Sequence, residues 1–432
     1  MIALSPGADL FPLAAAVLSA ITCAALGNFL VLRRLSLMGD AISHSVLPGL
    51  VIAFLIASTR SPIVMFAGAA IAGVATVVLV ELVKRLGRVE PGAAMGVVFS
   101  ILFALGVLLI EQAAVRHVDL DAECVLHGQL ETLWWPGAPA SFAGVLHADT
   151  LAAVPRQVWT LLITALGSLA FVTLLFKELR LAAFDPALST AQGFHAGVLH
   201  YSLMILVAAA TVASFEAVGS ILVIAMLIAP AATARLLTDR LRAQILVSLV
   251  LAVVGAVAGY LAATLLPAAI GFDAVNIAGS IAVTLGVILT ASVFLAPRHG
   301  VISRRLHHRA LARRVALDDL LATLYRVRES GSPEPQAAAL NPRALRLAAD
   351  RGLISLQGPA PRLTDAGLET GRELVRRHRL WERYLVDRAG FAPDHVHDPA
   401  ELLEHVPLEP PATARTDPHG RTIPDHPPRS DS

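Results

Sequence analysis

Through the first two thirds of the chain, apolar residues run in long blocks separated by short polar links, whereas the last third alternates apolar and charged positions. Spanning a bilayer as a helix takes about 20 mainly apolar residues. Blocks of that kind cover 10–32, 36–57, 62–83, 92–110, 158–176, 197–214, 217–237, 243–266 and 275–296. The pattern predicts an all-α polytopic membrane protein with about nine transmembrane helices. Basic residues sort with it: Arg33 and Arg34 follow the first helix, Lys84, Arg85 and Arg88 the third, Lys177 and Arg180 the fifth, Arg235, Arg240 and Arg242 the seventh, and Arg298 the ninth. Cytoplasmic loops collect Lys and Arg. The expected arrangement in the cell membrane therefore has the N-terminus outside and the C-terminal region in the cytoplasm.

Beyond the last block the periodicity becomes that of a small, mainly α domain with a short β hairpin. Leu317, Leu320, Leu321, Leu324 and Val327 recur at helical spacing. Asn341, Pro342 and Gly352 punctuate a second helix, residues 353–356 and 362–364 flank a Gly-Pro turn, and a long helix runs from Asp365 to about Ala389. From Pro407 onward, repeated prolines among polar residues predict a disordered tail. The expected divisions are thus a membrane domain over 1–297, a cytoplasmic domain over 298–406 and a tail over 407–432.

Composition narrows the classes. With 56% hydrophobic residues and a mean hydropathy of +0.67, the chain is too apolar for a soluble protein of its length. A net charge of +1 argues against wholesale nucleic-acid binding. Two cysteines, Cys23 and Cys124, cannot build a disulfide framework or a Cys-rich metal site within one chain. The first block is long enough to span and has no basic leader before it, so it reads as a retained helix. Lys84 and Lys177 are the only lysines, and neither stands in GxxxxGK[ST], so the chain carries no P-loop and no nucleotide site of that kind.

Candidate chemistry begins with Asp40 and His44, set four residues apart in an apolar block and therefore on one helical face. They suit a shared cation or proton; alternatively, Asp40 supports a helix N-terminus and His44 bonds to nearby backbone. Charged groups at bilayer depth cost about 2.5 to 3.5 kcal/mol each on insertion scales and are usually functional. Glu216, at the head of the seventh block, is a second candidate for the pathway. The stretch from Glu111 to Arg156, with Asp119, Asp121, Glu123, His127, Glu131, His147 and Asp149, is expected outside; it would serve solubility, attract a cation or dock a partner, and no ligands are assigned to it. In the last third, His378 and Glu382 share a helical face, and Glu401, Glu404 and His405 project from one turn. Imidazole with carboxylate suits Mn²⁺, Fe²⁺ or Zn²⁺, although Glu401 also reads as support for a helix cap.

Asp40-Ala41-Ile42-Ser43-His44-Ser45-Val46-Leu47-Pro48-Gly49 resembles the signature of the metal-ion permeases of ATP-binding cassette importers, which carry manganese, zinc or ferrous iron. The stretch from Glu216 to Leu237 resembles a later helix of that family and the loop that meets the ATPase, there Ala232, Thr233, Ala234 and Arg235. The resemblance spans about 10–297. It implies a permease rather than an enzyme, a divalent metal as cargo with manganese favoured, a separate ATPase, an extracytoplasmic metal-binding solute-binding protein, and a homodimer or heterodimer of permeases in lipid.

Residues 317–425, including Asp417-Pro418-His419-Gly420-Arg421-Thr422-Ile423-Pro424, resemble the diphtheria-toxin-repressor and manganese-repressor family. By position, His378, Glu382 and His397 fall on one ligand set and Glu401, Glu404 and His405 on another. Asp319 matches an N-terminal ligand of manganese-type members, while Ala322 stands where its partner carboxylate would be. The resemblance implies a regulatory metal. Residues 330–339, with Pro333 and Pro335, are too short for the helix a full winged helix needs before its recognition helix, so sequence-specific DNA binding is not expected; Arg343, Arg346 and Arg351 would touch phosphates only non-specifically. The leading expectation is a permease, and the alternatives are a membrane-anchored metal-responsive regulator and a proton-coupled metal carrier.

Overall fold

The computed structural model describes residues 6–59, 61–114, 130–135, 138, 154–270, 275–333, 335–358, 360–405 and 414–425. It divides into two compact units, 1–303 and 304–432, six residues later than the sequence boundary at 297. The chain is predominantly helical because apolar segments of this length satisfy their backbone groups internally only as helices when water is absent.

Among the described residues of the first unit, nine helices are long and apolar enough to span a membrane. They are α1 (Pro6–Leu32), α2 (Met38–Ala57), α3 (Pro62–Gly87), α4 (Pro91–Ala114), α5 (Arg156–Leu174), α8 (Ala196–Val218), α9 (Ser220–Leu237), α10 (Leu241–Ile270) and α11 (Ile277–Leu295); two short helices, α6 (Phe176–Phe184) and α7 (Pro186–Ala191), precede α8. The most buried span is α1, packed against α5, α8, α9 and α10, while α2 lies between α3 and α4. Ile71, Ile101, Ile163, Val283 and Leu295 stay exposed, as lipid-facing side chains do. Small residues set the closest approaches: Gly49 of α2 and Gly68 of α3 leave no room for a Cβ against each other's backbone. At Gly219, with φ +80°, the chain turns between α8 and α9. Glu216 consequently sits in the last turns of α8, not at the head of the next span.

Unit two is built on α12 (Val301–Ser330), α13 (Pro342–Asp350), β1 (Ile354–Ser355), β2 (Arg362–Leu363), α14 (Asp365–Asp387) and α15 (His397–Glu404). Leu317, Leu320, Leu321 and Leu324 of α12 pack on Ala344, Leu345 and Ala348 of α13 and on Leu374 and Val375 of α14, as the helical spacing predicts. Side chains cap the starts: Asn341 accepts from the Arg343 N–H and Thr364 from the Gly367 N–H. The two strands pair antiparallel with Ile354 opposite Leu363. Among the described residues between α12 and α13, the one helical turn is the 3₁₀ turn Ala337–Ala339.

The expectation of a disordered tail from residue 407 is corrected over 414–425. Thr416 and Thr422 form an antiparallel bridge, and the Asp417 carboxylate accepts from the His419 and Arg421 N–H groups at 2.9 and 2.8 Å. Arg379 of α14 donates to the Thr422 carbonyl at 2.6 Å and to both Glu329 oxygens at 2.9 and 2.5 Å. A buried guanidinium with fixed acceptors holds a segment whose composition offers little apolar surface. The tail residues 407–413 and 426–432 lie outside the described residues.

Candidate metal centres

In the first unit, Asp40 and His44 meet on the first two turns of α2, with His44 Nε2 3.3 Å from Asp40 Oδ1. Neighbouring contacts give their depth. Gly39 abuts Leu227 near the middle of α9, and Gly73, midway along α3, faces Ile42 of α2 together with Ala208 and Val212 midway along α8. The pair therefore lies well inside the span, at a helix start that points its positive dipole end at Asp40. Ser43 Oγ donates to the Asp40 carbonyl at 2.9 Å. The imidazole lies beside the Phe99 and Phe103 rings of α4, at centroid distances of 5.3 and 5.8 Å. The N-cap residue, Leu37, makes no side-chain cap bond, and the polar side chain beside the Asp40 carboxylate is His44.

The other membrane candidates behave differently. Glu216 Oε1 accepts from Arg156 Nη2 at 2.6 Å, an ion pair between the last turns of α8 and the first of α5. Ala232, Thr233, Ala234 and Arg235 do not form a loop: all four lie within α9, with Thr233 and Ala234 buried and only Arg235 exposed. Sequence reasoning missed α6 and α7, although Asp185-Pro186 is a helix-start signal, and Asp185 indeed accepts from the Leu188 N–H at 2.9 Å. Phe184 and Leu188 are exposed there. Of the polar stretch over 111–156, Asp119, Asp121, Glu123, His127, His147 and Asp149 lie outside the described residues, and Glu131 belongs to the 3₁₀ turn Leu130–Thr132.

In the second unit, two groups converge. His378 Nε2, His397 Nδ1 and Glu382 Oε1 are 3.0, 3.1 and 3.2 Å from one another. Cis ligands of an octahedral ion with bonds of about 2.2 Å stand about 3.1 Å apart, so this triangle fits one face of such a shell. The second group is Asp319, Glu404 and His405, with His405 Nε2 3.2 Å from Asp319 Oδ1 and 3.9 Å from Glu404 Oε1. Glu404 joins the two, because its Oε2 lies 2.5 Å from His378 Nδ1. Glu401 departs from expectation: it is exposed and belongs to neither group. Asp318 was not anticipated. Its Oδ2 lies 3.5 Å from His405 Nδ1, a carboxylate supplied one residue before Asp319 where Ala322, one turn later, supplies none.

Charge in this region is strongly coupled. Burial opposes a charged His378, but the Glu382 and Glu404 carboxylates outweigh it and raise its pKa. For Glu382, burial acts upward, yet bonds to His378 and His397 bring its carboxyl down to about 2. Burial raises Asp319, and Glu404, Glu401 and Asp318 add to that against the pull of His405. Without metal the groups hold together as ion pairs, and a cation would replace the protons.

Comparison with known proteins matches both parts: the manganese transport system membrane protein MntC of Bacillus subtilis is 28% identical over 88% of this chain and 86% of its own length. Residues 364–409 match the iron dependent repressor, metal binding and dimerisation domain, which covers most of the ligand set in the second unit. The manganese transport system membrane protein MntD of Bacillus subtilis is 38% identical over 68% of this chain and 94% of its own length. The zinc transport system membrane protein TroD of Treponema pallidum is 36% identical over 68% of this chain and 76% of its own. Among solved structures, PsaBC from Streptococcus pneumoniae in complex with Fab is similar with a TM-score of 0.52 and 29% identity, covering 67% of this chain and 92% of that one. Residues 11–134 and 137–291, together the nine-helix unit that holds Asp40 and His44, match the ABC 3 transport family, and the chain belongs to that family.

Proposed function

We propose that this chain is the permease subunit of an ATP-binding cassette importer for a divalent transition metal, manganese first, with zinc and ferrous iron as the alternatives. The observation that carries the reading is the Asp40–His44 pair at 3.3 Å, seated at mid-depth. One carboxylate and one imidazole give a borderline divalent ion two ligands and leave its remaining positions to water. Energy comes from a separate ATPase, and metal arrives from a solute-binding protein on the other side; a second permease copy or homologue completes the pathway. The basic helix ends lie on the cytoplasmic side with the second unit, and exposed Phe184 and Leu188 on α6 and α7 offer the ATPase a face there. Glu216, paired with Arg156, serves the fold at the other end rather than the cargo.

The second unit supports a further role, metal sensing that restrains import when internal metal is high, and the convergence of His378, Glu382 and His397 favours it. Uptake of Mn²⁺ by proteoliposomes holding this chain and its ATPase tests the reading. Asp40→Asn and His44→Ala should each abolish ATP-driven uptake while membrane insertion and ATPase binding persist. Normal uptake by the double variant would refute the assignment, and uptake driven by a proton gradient without ATPase would replace it with a coupled carrier.

A further inference from the structure

We propose that the second unit docks onto the headgroups of an anionic bilayer through a basic surface at the start of α12 and on α13. Residues 304–314 are exposed at every position although they form continuous helix. They hold five arginines and two histidines, and no Asp or Glu occurs between Asp273 and Asp318. Arg309 and Arg313 of this stretch face Arg343 and Arg346 of α13 across an open groove of about 750 Å³ in which Asp350 is the one acid among the lining residues. The Leu317–Leu321 and Ala344–Ala348 core fixes the two helices, so the four arginines stay on facing sides of one groove. Among the described residues, none of these four is paired with a carboxylate. A guanidinium presents forked donors that match phosphate oxygens.

Two observations favour a bilayer over a duplex. Leu306 stands exposed, at 59%, one turn before Arg309 on the helical face that lines the groove. Apolar side chains between cations suit the headgroup and acyl boundary, whereas a phosphodiester backbone gives them nothing to bury against. The second is covalent: eight residues lie between Leu295, the end of the last span, and Arg304, a reach of at most about 32 Å. That tether puts an anionic surface, whose attraction acts within a Debye length of about 8 to 10 Å, inside the reach of the arginines. The surface thereby gains a partner at high effective concentration.

The full-length protein in nanodiscs tests this. A neutral-quencher experiment would use an environment-sensitive dye on Ala310→Cys in a Cys124→Ser background; Ala310 is exposed and Cys23 is buried. In discs of phosphatidylcholine with an equal share of phosphatidylglycerol, emission should shift to the blue and quenching by acrylamide should fall; in phosphatidylcholine alone neither change should occur. Arg309→Gln with Arg313→Gln should weaken docking by about thirtyfold and restore quenching, while Arg309→Lys with Arg313→Lys should keep most of the protection. Short duplex DNA or inorganic phosphate added to phosphatidylcholine discs should leave the dye unchanged. Equal quenching in both lipids would overturn the proposal. A response to duplex or phosphate as large as that to phosphatidylglycerol would also overturn it, in favour of a nucleic-acid or free-anion site.

Discussion

Replacing Glu382 by Gln is the sharpest test of the first ligand group, because its Oε1 touches both His378 and His397 and its side chain is only 2% exposed. The amide keeps the shape and one acceptor but removes the charge that a divalent ion needs. Loss of a supporting partner alone weakens metal sites by about 10- to 100-fold, so the loss of a direct ligand should reach at least the upper figure. With Mn²⁺ at about a hundred times the wild-type Kd, binding stabilises the folded unit by about 2.7 kcal/mol; a hundredfold weaker site retains about 0.4 kcal/mol. For a unit of this size each kcal/mol moves the Tm by about 3 °C. A Val301–Ser432 fragment, which carries its own core, should therefore melt about 8 °C higher with Mn²⁺, and the Glu382→Gln fragment about 1 °C higher. Scanning calorimetry with and without metal measures both. An undiminished shift in the variant would refute the ligand assignment, and no shift in the wild type would refute the site.

Three other outcomes are expected. In chelator, the depressed Glu382 carboxyl stabilises the fold above the ordinary glutamate value near 4.5, and that stability is lost as pH falls towards about 2; the Tm gap between wild type and Glu382→Gln should close over that window, and a gap constant down to the lowest pH would contradict the cause given. Arg379→Ala removes the guanidinium that ties Thr422 to Glu329. It should destabilise the fragment by about 3 kcal/mol and speed protease cleavage within 414–425, whereas an unchanged cleavage rate would mean the turn is held by other contacts. A cysteine placed at exposed Ser332 in the Cys124→Ser background should react only with reagent admitted to the cytoplasm, and labelling of intact cells from outside would invert the orientation.

Hydropathy made the nine spans legible because lipid imposes one length and one polarity on each. The spacing of Asp40 and His44 made their contact legible too, since four residues on a helix bring side chains together wherever the helix lies. Depth was not legible: it depends on where Gly39 and Gly73 let neighbouring helices approach. Glu216 was assigned to the wrong helix because Gly219 turns a chain that stays apolar on both sides. The family resemblance put Ala232–Arg235 in a loop, whereas their small side chains leading into charge suit a helix end, and α9 continues through them. In the second unit the resemblance located His378, Glu382, His397, Glu404 and His405, whereas Asp318 escaped notice because adjacent residues on a helix rarely serve one site and here both reach His405. Composition misread 414–425, where the buried Arg379 guanidinium, bonded to the Thr422 carbonyl, holds the segment in place of apolar contacts.

The start of α2 at mid-depth also bears on how long an ion would stay. A divalent cation beside Asp40 and His44 would meet one carboxylate, one imidazole and the partial positive charge, about half an elementary unit, of a helix end. Attraction is offset at the same point where it is supplied. If the cargo binds there as proposed, the site would be shallow, replacing part of the hydration shell with imidazole and carboxylate and releasing the ion readily. Conduction requires binding that favours entry without forbidding exit, and on this geometry a second carboxylate at that turn would lengthen the dwell time and slow the turnover of the whole carrier.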